Sequence, residues 1–296
     1  MTQAVPKAAE KEILQLVASC INWFRTNSNL GEFVIALSGG VDSAVVAKAA
    51  AVSGVACRAV TGKSPAVAKR ELEDAKSIAA FVGIAHAFLD TNELDSSAYA
   101  KNDARRCYHC KSHLFRQVES ALRRECEGIV LVTGTNADDL GDYRPGLKAA
   151  AEHQVRSPLA ELGIGKAGVR RLAEHWELQV ADKPASPCLA SRIAYGVEVS
   201  AERLKRIEKA EEYLRSVGVS DCRVRVHQGE VARIEIPLAE ISALLQDGVY
   251  VQVAAYCKEL GFAFVSLDLS GLQSGGLNQL IPIQSLGLSG SGSEGG

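Results

Sequence analysis

Phe33-Val34-Ile35-Ala36-Leu37-Ser38-Gly39-Gly40-Val41-Asp42-Ser43 is the stretch whose reading decides the fold. The apolar run 33–37 predicts a β-strand, and Asp42-Ser43-Ala44-Val45-Val46 predicts the opening of a helix. Between them lie two glycines in a hydroxyl-rich turn. Without Cβ atoms the glycines let backbone approach an oxyanion closely, and the first free N–H groups of the helix point at it with the positive end of the dipole. The expected guest is a phosphate. A plain glycine turn would account for Gly39 and Gly40 but not for the flanking Ser38, Asp42 and Ser43.

Working outward, apolar strand candidates recur at 55–60, 84–89 and 129–133, separated by helical stretches, one of them begun by Ser64-Pro65 as N-cap and first helical residue. Strands alternating with helices predict an α/β fold with a parallel sheet covered on both sides. Ligands bind such sheets beyond the carboxyl ends of the strands, where Ser38 to Ser43 falls, as does Thr133-Gly134-Thr135-Asn136-Ala137-Asp138-Asp139. Leu14, Val17, Ile21 and Phe24 predict a packing helix over about residues 10 to 25. Past residue 190 the pattern changes. Ser200 opens a charged helix with Leu204, Ile207, Leu214 and Val217 inward and Gly218 at its end. The alternation Cys222-Arg223-Val224-Arg225-Val226-His227, a Gly-containing turn and Ala232-Arg233-Ile234-Glu235-Ile236 predict a hairpin with one buried and one polar face, part of a small α+β domain. Three regions follow: 1–190, 191–270 and a Gly/Ser-rich, largely flexible tail at 271–296.

The 296 residues suffice for two domains of ordinary size. A net charge of -2 and a pI near 6.3 exert no global pull on polyanions, so small-molecule chemistry is favoured over nucleic acid. No apolar run of about 18 residues is present, and Lys7, Glu10, Lys11 and Glu12 put both signs of charge near the start, unlike a signal peptide. A cytoplasmic protein without membrane contact is expected. Its eight cysteines are then thiols, metal ligands or catalysts rather than disulfides.

Three of these cysteines stand in chemical company. Cys107-Tyr108-His109-Cys110 is a C-x-x-C, and Cys188 lies in Pro187-Cys188-Leu189-Ala190-Ser191-Arg192. Soft thiolates suit zinc, copper, iron–sulfur ligation or redox work. A closed zinc site wants four ligands, and His109 or His113 would have to complete it; three thiolates alone leave one iron of a [4Fe–4S] cluster open. Cys20, Cys57, Cys126 and Cys222 sit in or beside apolar stretches and read as small buried hydrophobes.

Thr61-Gly62-Lys63-Ser64 carries the Gly-Lys-Ser of a Walker loop, but Cys57 stands where that motif needs its first glycine. Ser38 to Ser43 instead resembles the PP-loop of the ATP pyrophosphatases, which hold the pyrophosphate of ATP while AMP is transferred. Taken with Cys107-Tyr108-His109-Cys110-Lys111, Gly134-Thr135-Asn136-Ala137-Asp138-Asp139-Leu140-Gly141-Asp142-Tyr143-Arg144-Pro145-Gly146 and Pro187 to Arg192, it resembles the LarE-type ATP-dependent sulfurtransferases over roughly residues 10 to 280. That resemblance implies a PP-loop ATP pyrophosphatase domain at 1–190 and a substrate-binding and oligomerisation domain at 191–270.

It implies ATP-dependent adenylation of the carboxylates of pyridinium-3,5-biscarboxylic acid mononucleotide and their conversion to thiocarboxylates, in making the nickel-pincer nucleotide of lactate racemase. Members with a single reactive cysteine, matching Cys188, sacrifice its sulfur. The added Cys107 and Cys110 make this chain look like the branch carrying sulfide on a [4Fe–4S] cluster ligated by all three.

Ser38, Gly39, Gly40, Asp42 and Ser43 would hold the pyrophosphate, with Gly134, Thr135, Asn136 and Asp138 facing the same edge, carboxylates there for Mg²⁺, and Lys111 in reach of a phosphate. Ser191, Arg192, Arg223 and Arg225 suit an anionic nucleotide substrate, with Glu211 from a matching Glu-x-x-Leu-Arg stretch. The bland alternatives are a solvated strand face for the two strand arginines and an exposed helix acid for Glu211. A homo-oligomer, as large as a hexamer, and a sulfide donor are implied as partners. A PP-loop tRNA thiolase, which would need a basic surface or an added RNA domain, and a non-enzymatic iron–sulfur carrier or nucleotide-sensing module that merely retains the loop stay open as other classes.

Overall fold

A computed structural model describes residues 7–122, 128–141, 145–246 and 248–273. Cys126, the 142–144 part of the third motif and all of the expected tail beyond 273 lie outside those residues. In chain order the elements are α1 (Lys7–Thr26), β1 (Glu32–Ala36), α2 (Val41–Ser53), β2 (Cys57–Lys63), α3 (Lys69–Val82), β3 (Ala85–Asp90), α4 (Ser97–Ala100), α5 (Arg106–Leu122), β4 (Ile129–Val132), α6 (Pro145–Glu152), α7 (Pro158–Glu161) and α8 (Lys166–His175). They continue with α9 (Ala201–Ser216), β5 (Arg223–His227), β6 (Val231–Glu235), α10 (Leu238–Leu245), α11 (Val249–Glu259) and β7 (Phe264–Leu267). Two compact units divide the chain, one of Met1–Glu93 with Cys107–Ser186, the other of Leu94–Arg106 with Pro187–Gly296.

In the first unit the strands pair in parallel in the order β3-β2-β1-β4. Alternation along each strand splits its side chains between two cores. Phe33, Ile35, Ala59, Val130 and Val132 join α1, α2, α3 and α8 in one core, whereas Val34, Val60 and Leu131 join α5 and α6 in the other. Helices therefore cover both faces, and β1 and β4, side by side, deliver the Ser38 and Gly134 loops to one edge.

Two elements differ from what the sequence predicts. Ser64-Pro65 does not open a helix: the Ser64 hydroxyl accepts from Ala66 N–H at 3.1 Å in a turn, and α3 begins only at Lys69. Leu14 lies off the packed face of α1 at 52% exposed, because Cys20, Trp23 and Phe24 rotate the buried stripe toward Ile13, Leu16 and Val17.

In the second unit β5 and β6 form the expected antiparallel hairpin, with Arg225 opposite Arg233, and β7 adds to β6 in parallel. Ser200 caps α9 through its hydroxyl, which accepts from Arg203 N–H at 3.3 Å. The hairpin's polar face is not open to solvent: Arg223 is 8% and Arg225 4% exposed. Residues 94–106 belong to this unit by a long-range tie. Asn102, fully buried, donates to the carbonyls of Ile193, Ala194 and Val197 and accepts from Arg106, which also donates to Ala190 O at 2.8 Å. Among the described residues no helix is long and apolar enough to cross a membrane.

Candidate functional site

The loop after β1 is tied by its own hydroxyls. Ser43 Oγ donates to Gly40 O at 3.0 Å and accepts from Ser38 N–H and Ser38 Oγ, both at 3.1 Å. Gly40 is the N-cap of α2 and supplies no side-chain cap, so the first amides of the helix keep their donors for an incoming ligand. Gly39 has φ +80, and a Cβ there would stand 2.6 Å from Glu71 O, so only glycine fits.

The loop after β4 packs onto this helix start. A Cβ on Gly134 would lie 2.6 Å from Ser43 N and 2.8 Å from the Asp42 carbonyl carbon. Asn136, 2% exposed, donates to Asp42 Oδ1 at 3.0 Å while its own carbonyl accepts from the amides of Asp138 and Asp139. Thr135 shares a 3.2 Å hydroxyl contact with Thr133. Asp138 faces the start of α8 and accepts from Lys166 N–H at 2.7 Å, a helix N-terminus being a favourable place for a carboxylate. The other oxygen of Asp42 accepts from Lys166 Nζ at 2.6 Å.

Lys183 reaches the same loop from the other side. Its ammonium donates to Gly39 O at 2.9 Å, Glu71 at 2.7 Å and Asp74 at 2.5 Å. Among the described residues Lys111 makes no hydrogen bond to the loop; its ammonium stands 5.9 Å from the centre of the Phe115 ring. Lys166 and Lys183 escaped the sequence reading. Their signal was faint, a lysine after Gly163-Ile164-Gly165 and another before Pro184. Thr61 donates to Leu37 O, at the root of the loop, at 2.6 Å and meets His86 Nε2 at 2.8 Å. Burial pushes the His86 pKa below its ordinary 6.5.

In the second unit Cys188 begins a turn whose carbonyl accepts from Ser191 N–H at 2.9 Å and Ser191 Oγ at 2.7 Å. Arg192 braces that turn, donating to Pro187 O, to Cys188 O at 3.3 Å and to Ser191 Oγ at 3.1 Å. Its Nε pairs with Glu211 at 3.0 Å, both side chains being 2% exposed. Burial alone would lower the Arg192 pKa, but the Glu211 carboxylate and the Cys188 and Cys222 sulfurs outweigh it and the net direction is up. Glu211 also accepts from Val224 N–H at 3.1 Å, so the exposed-acid expectation for it fails: the carboxylate locks helix, turn and β5 together.

Arg225 is likewise engaged, by Glu235 and by Ser191 O, both at 2.9 Å, though its buried Nε finds no acceptor among the described residues. Arg223 donates to Gln273 O at 2.7 Å and has no carboxylate within ion-pair distance among the described residues. Burial and the neighbouring Arg225 and Arg192 cations push its pKa below the usual guanidinium range.

The cysteines sort by exposure. Cys107 and Cys188 are exposed and Cys110, in the first turns of α5, is half-buried. Cys20, Cys222 and Cys257 are buried, as expected for Cys20 and Cys222, and burial lifts Cys20 and Cys257 to about 11. Among the described residues no group of three or more His, Cys, Asp or Glu is arranged to hold a metal ion. The donor chemistry of Cys107, Cys110 and Cys188 suits a soft metal group; Cys107 and Cys110 belong to the first unit and Cys188 to the second.

The family described as queuosine biosynthesis protein QueC matches residues 32–106, the stretch from β1 to the start of α5. An uncharacterized protein of Synechocystis sp. is 44% identical over 253 residues, covering 85% of this chain and 94% of the relative. Pyridinium-3,5-bisthiocarboxylic acid mononucleotide synthase of Lactiplantibacillus plantarum is 33% identical over 257 residues, 86% of this chain and 91% of the relative. An uncharacterized protein of Methanocaldococcus jannaschii is 30% identical over 239 residues, 80% and 89%.

Proposed function

This chain belongs to the LarE-type sulfurtransferases of the PP-loop superfamily, and from that premise we propose that it uses ATP to turn the carboxylates of pyridinium-3,5-biscarboxylic acid mononucleotide into thiocarboxylates. The observation that carries the reading is the self-tied Ser38 to Ser43 loop at the mouth of α2, with Gly134 and Asn136 pressed against it. A carboxylate resists nucleophiles until it has a leaving group. A substrate carboxylate oxygen attacks the α-phosphorus of ATP and pyrophosphate departs; sulfur then attacks the acyl carbon and AMP departs. Ser38, Gly39, Gly40, Asp42 and Ser43 bind and orient the leaving pyrophosphate, Mg²⁺ accompanying it, and Gly134, Thr135, Asn136 and Asp138 hold the loop's far wall. Arg223, lacking a carboxylate partner among the described residues, takes the substrate anion, with Arg192, Arg225 and Ser191 shaping the locus.

Sulfur handling in this reading falls to Cys107, Cys110 and Cys188. A [4Fe–4S] cluster ligated by these three thiolates would supply a labile sulfide at its open iron. A second reading rests on the exposure of Cys188 and the Arg192 cation braced beneath its turn: Cys188 gives up its own sulfur and dehydroalanine remains. The reading includes a homo-oligomer, a sulfide donor and a cytoplasmic setting.

Anaerobic reconstitution with iron and sulfide, followed by turnover with ATP and the pyridinium substrate, tests it. AMP and pyrophosphate should appear only with the substrate present, and Cys107→Ala, Cys110→Ala and Cys188→Ala should each lose cluster absorbance and product. Release of ADP and phosphate would refute the ATP chemistry. Loss of one sulfur at Cys188, with product never exceeding enzyme, would select the sacrificial route.

A further inference from the structure

The Gly39–Gly40 peptide lies at the centre of the proposed anion site, and its carbonyl is held by one half-buried lysine. In a trans peptide the C=O of one residue and the N–H of the next point in opposite directions. Gly39 O is held by Lys183 Nζ at 2.9 Å, so the Gly40 N–H faces away from that lysine. Among the described residues no acceptor within the protein takes that N–H. Glycine at φ +80 lets such a peptide turn over at little cost, so an external clamp is what makes it choose one face.

Lys183 is well built for a clamp. All three of its N–H donors are used, on Gly39 O, Glu71 and Asp74, and its side chain is 18% exposed. Its own backbone is fixed by Lys183 N–H donating to Val180 O at 3.1 Å, with Val180 in the core. With those donors engaged, the ammonium has none left for a phosphate.

We infer that Lys183 is a positioning residue that holds the Gly39–Gly40 peptide so that the Gly40 N–H faces the pyrophosphate. The inference rests on the ATP reading above. Its test is affinity for Mg²⁺-bound α,β-methylene-ATP, measured by calorimetry on the full chain at 0.1 and 0.5 M salt, as order-of-magnitude low and high screening conditions. Lys183→Met should bind about tenfold more weakly or worse at both salts, the scale of one lost hydrogen bond to a charged group. Lys183→Arg, whose guanidinium can meet the same carbonyl and acids, should regain most of the affinity.

The Gly40 amide gives a readout that mere destabilisation would not move. Ligand-free wild type should show one sharp Gly40 resonance, and Lys183→Met should shift or broaden it while resonances from the core stay in place. Unchanged affinity in Lys183→Met, a loss seen only at low salt, or a Gly40 resonance already exchange-broadened in the wild type would overturn the clamp. The last holds even if Lys183→Met fails to fold. Wild type that binds no nucleotide at all would overturn both the clamp and the ATP reading.

Discussion

Replacing Gly134 by Ala probes the contact on which the proposed site depends. The new Cβ would stand 2.6 Å from Ser43 N, 2.8 Å from the Asp42 carbonyl carbon and 2.9 Å from Ser43 Cα, all backbone in the first turn of α2. Relief to ordinary contact at 3.4 Å requires a separation of 3.4 minus 2.6, or 0.8 Å, and no flexible side chain is there to absorb it. Overpacking of this kind costs about 1–3 kcal/mol. Function should suffer more, because a shift near 1 Å in a positioned group lowers turnover by roughly a hundredfold. Asp42, whose oxygens answer to Asn136 and Lys166, would move with that turn. Urea unfolding and pyrophosphate release measure the two effects. Gly141→Ala is the control: among the described residues nothing lies within 4 Å of its Cβ position, and both stability and turnover should stay at wild-type values. A Gly134→Ala protein with native stability and native turnover would refute the claim that the two loops are in contact.

Glu211→Ala should destabilise by about 3–5 kcal/mol in urea titrations, since it strands the buried Arg192 guanidinium, and the paired change Arg192→Met with Glu211→Leu should recover much of that loss. Brief iodoacetamide treatment of the apo protein should label Cys107 and Cys188 first, and leave Cys20, Cys222 and Cys257 unmodified by peptide mass mapping; early labelling of Cys257, lifted to about 11 by burial, would contradict its packing. Burial lowers His86, and burial with the Arg233 and Arg225 cations lowers His227, so the unfolded chain binds more protons than the native one below the ordinary 6.5. Stability is therefore complete above pH 6.5 and declines as pH falls, by at most about 1.4 kcal/mol per pH unit for each histidine; His86→Gln with His227→Gln should flatten that slope in denaturation series between about pH 7 and pH 5, bracketing the histidine range.

What the sequence by itself determined is local. The first-unit strands lie within a few residues of their expected positions because Phe33 to Leu37 and Ile129 to Val132 are apolar on both faces, which only a sheet covered on both sides accommodates. The two loops were legible because glycine and helix-opening residues act within a few positions of themselves, and the hairpin because Val224 and Val226 alternate with arginine. Tertiary structure decided what depends on partners far along the chain. Lys166 meets Asp42 across 124 positions and Lys183 meets Gly39 across 144, distances over which no local pattern reports. The strand arginines look solvated by alternation, yet Glu235 and Ser191 O occupy Arg225, and burial encloses both strand arginines. Glu211 is one acid among many on a charged helix until Arg192 and Val224 N–H converge on it. A carboxylate on α9 is exposed or buried according to what packs above it, and that is a property of the folded chain alone.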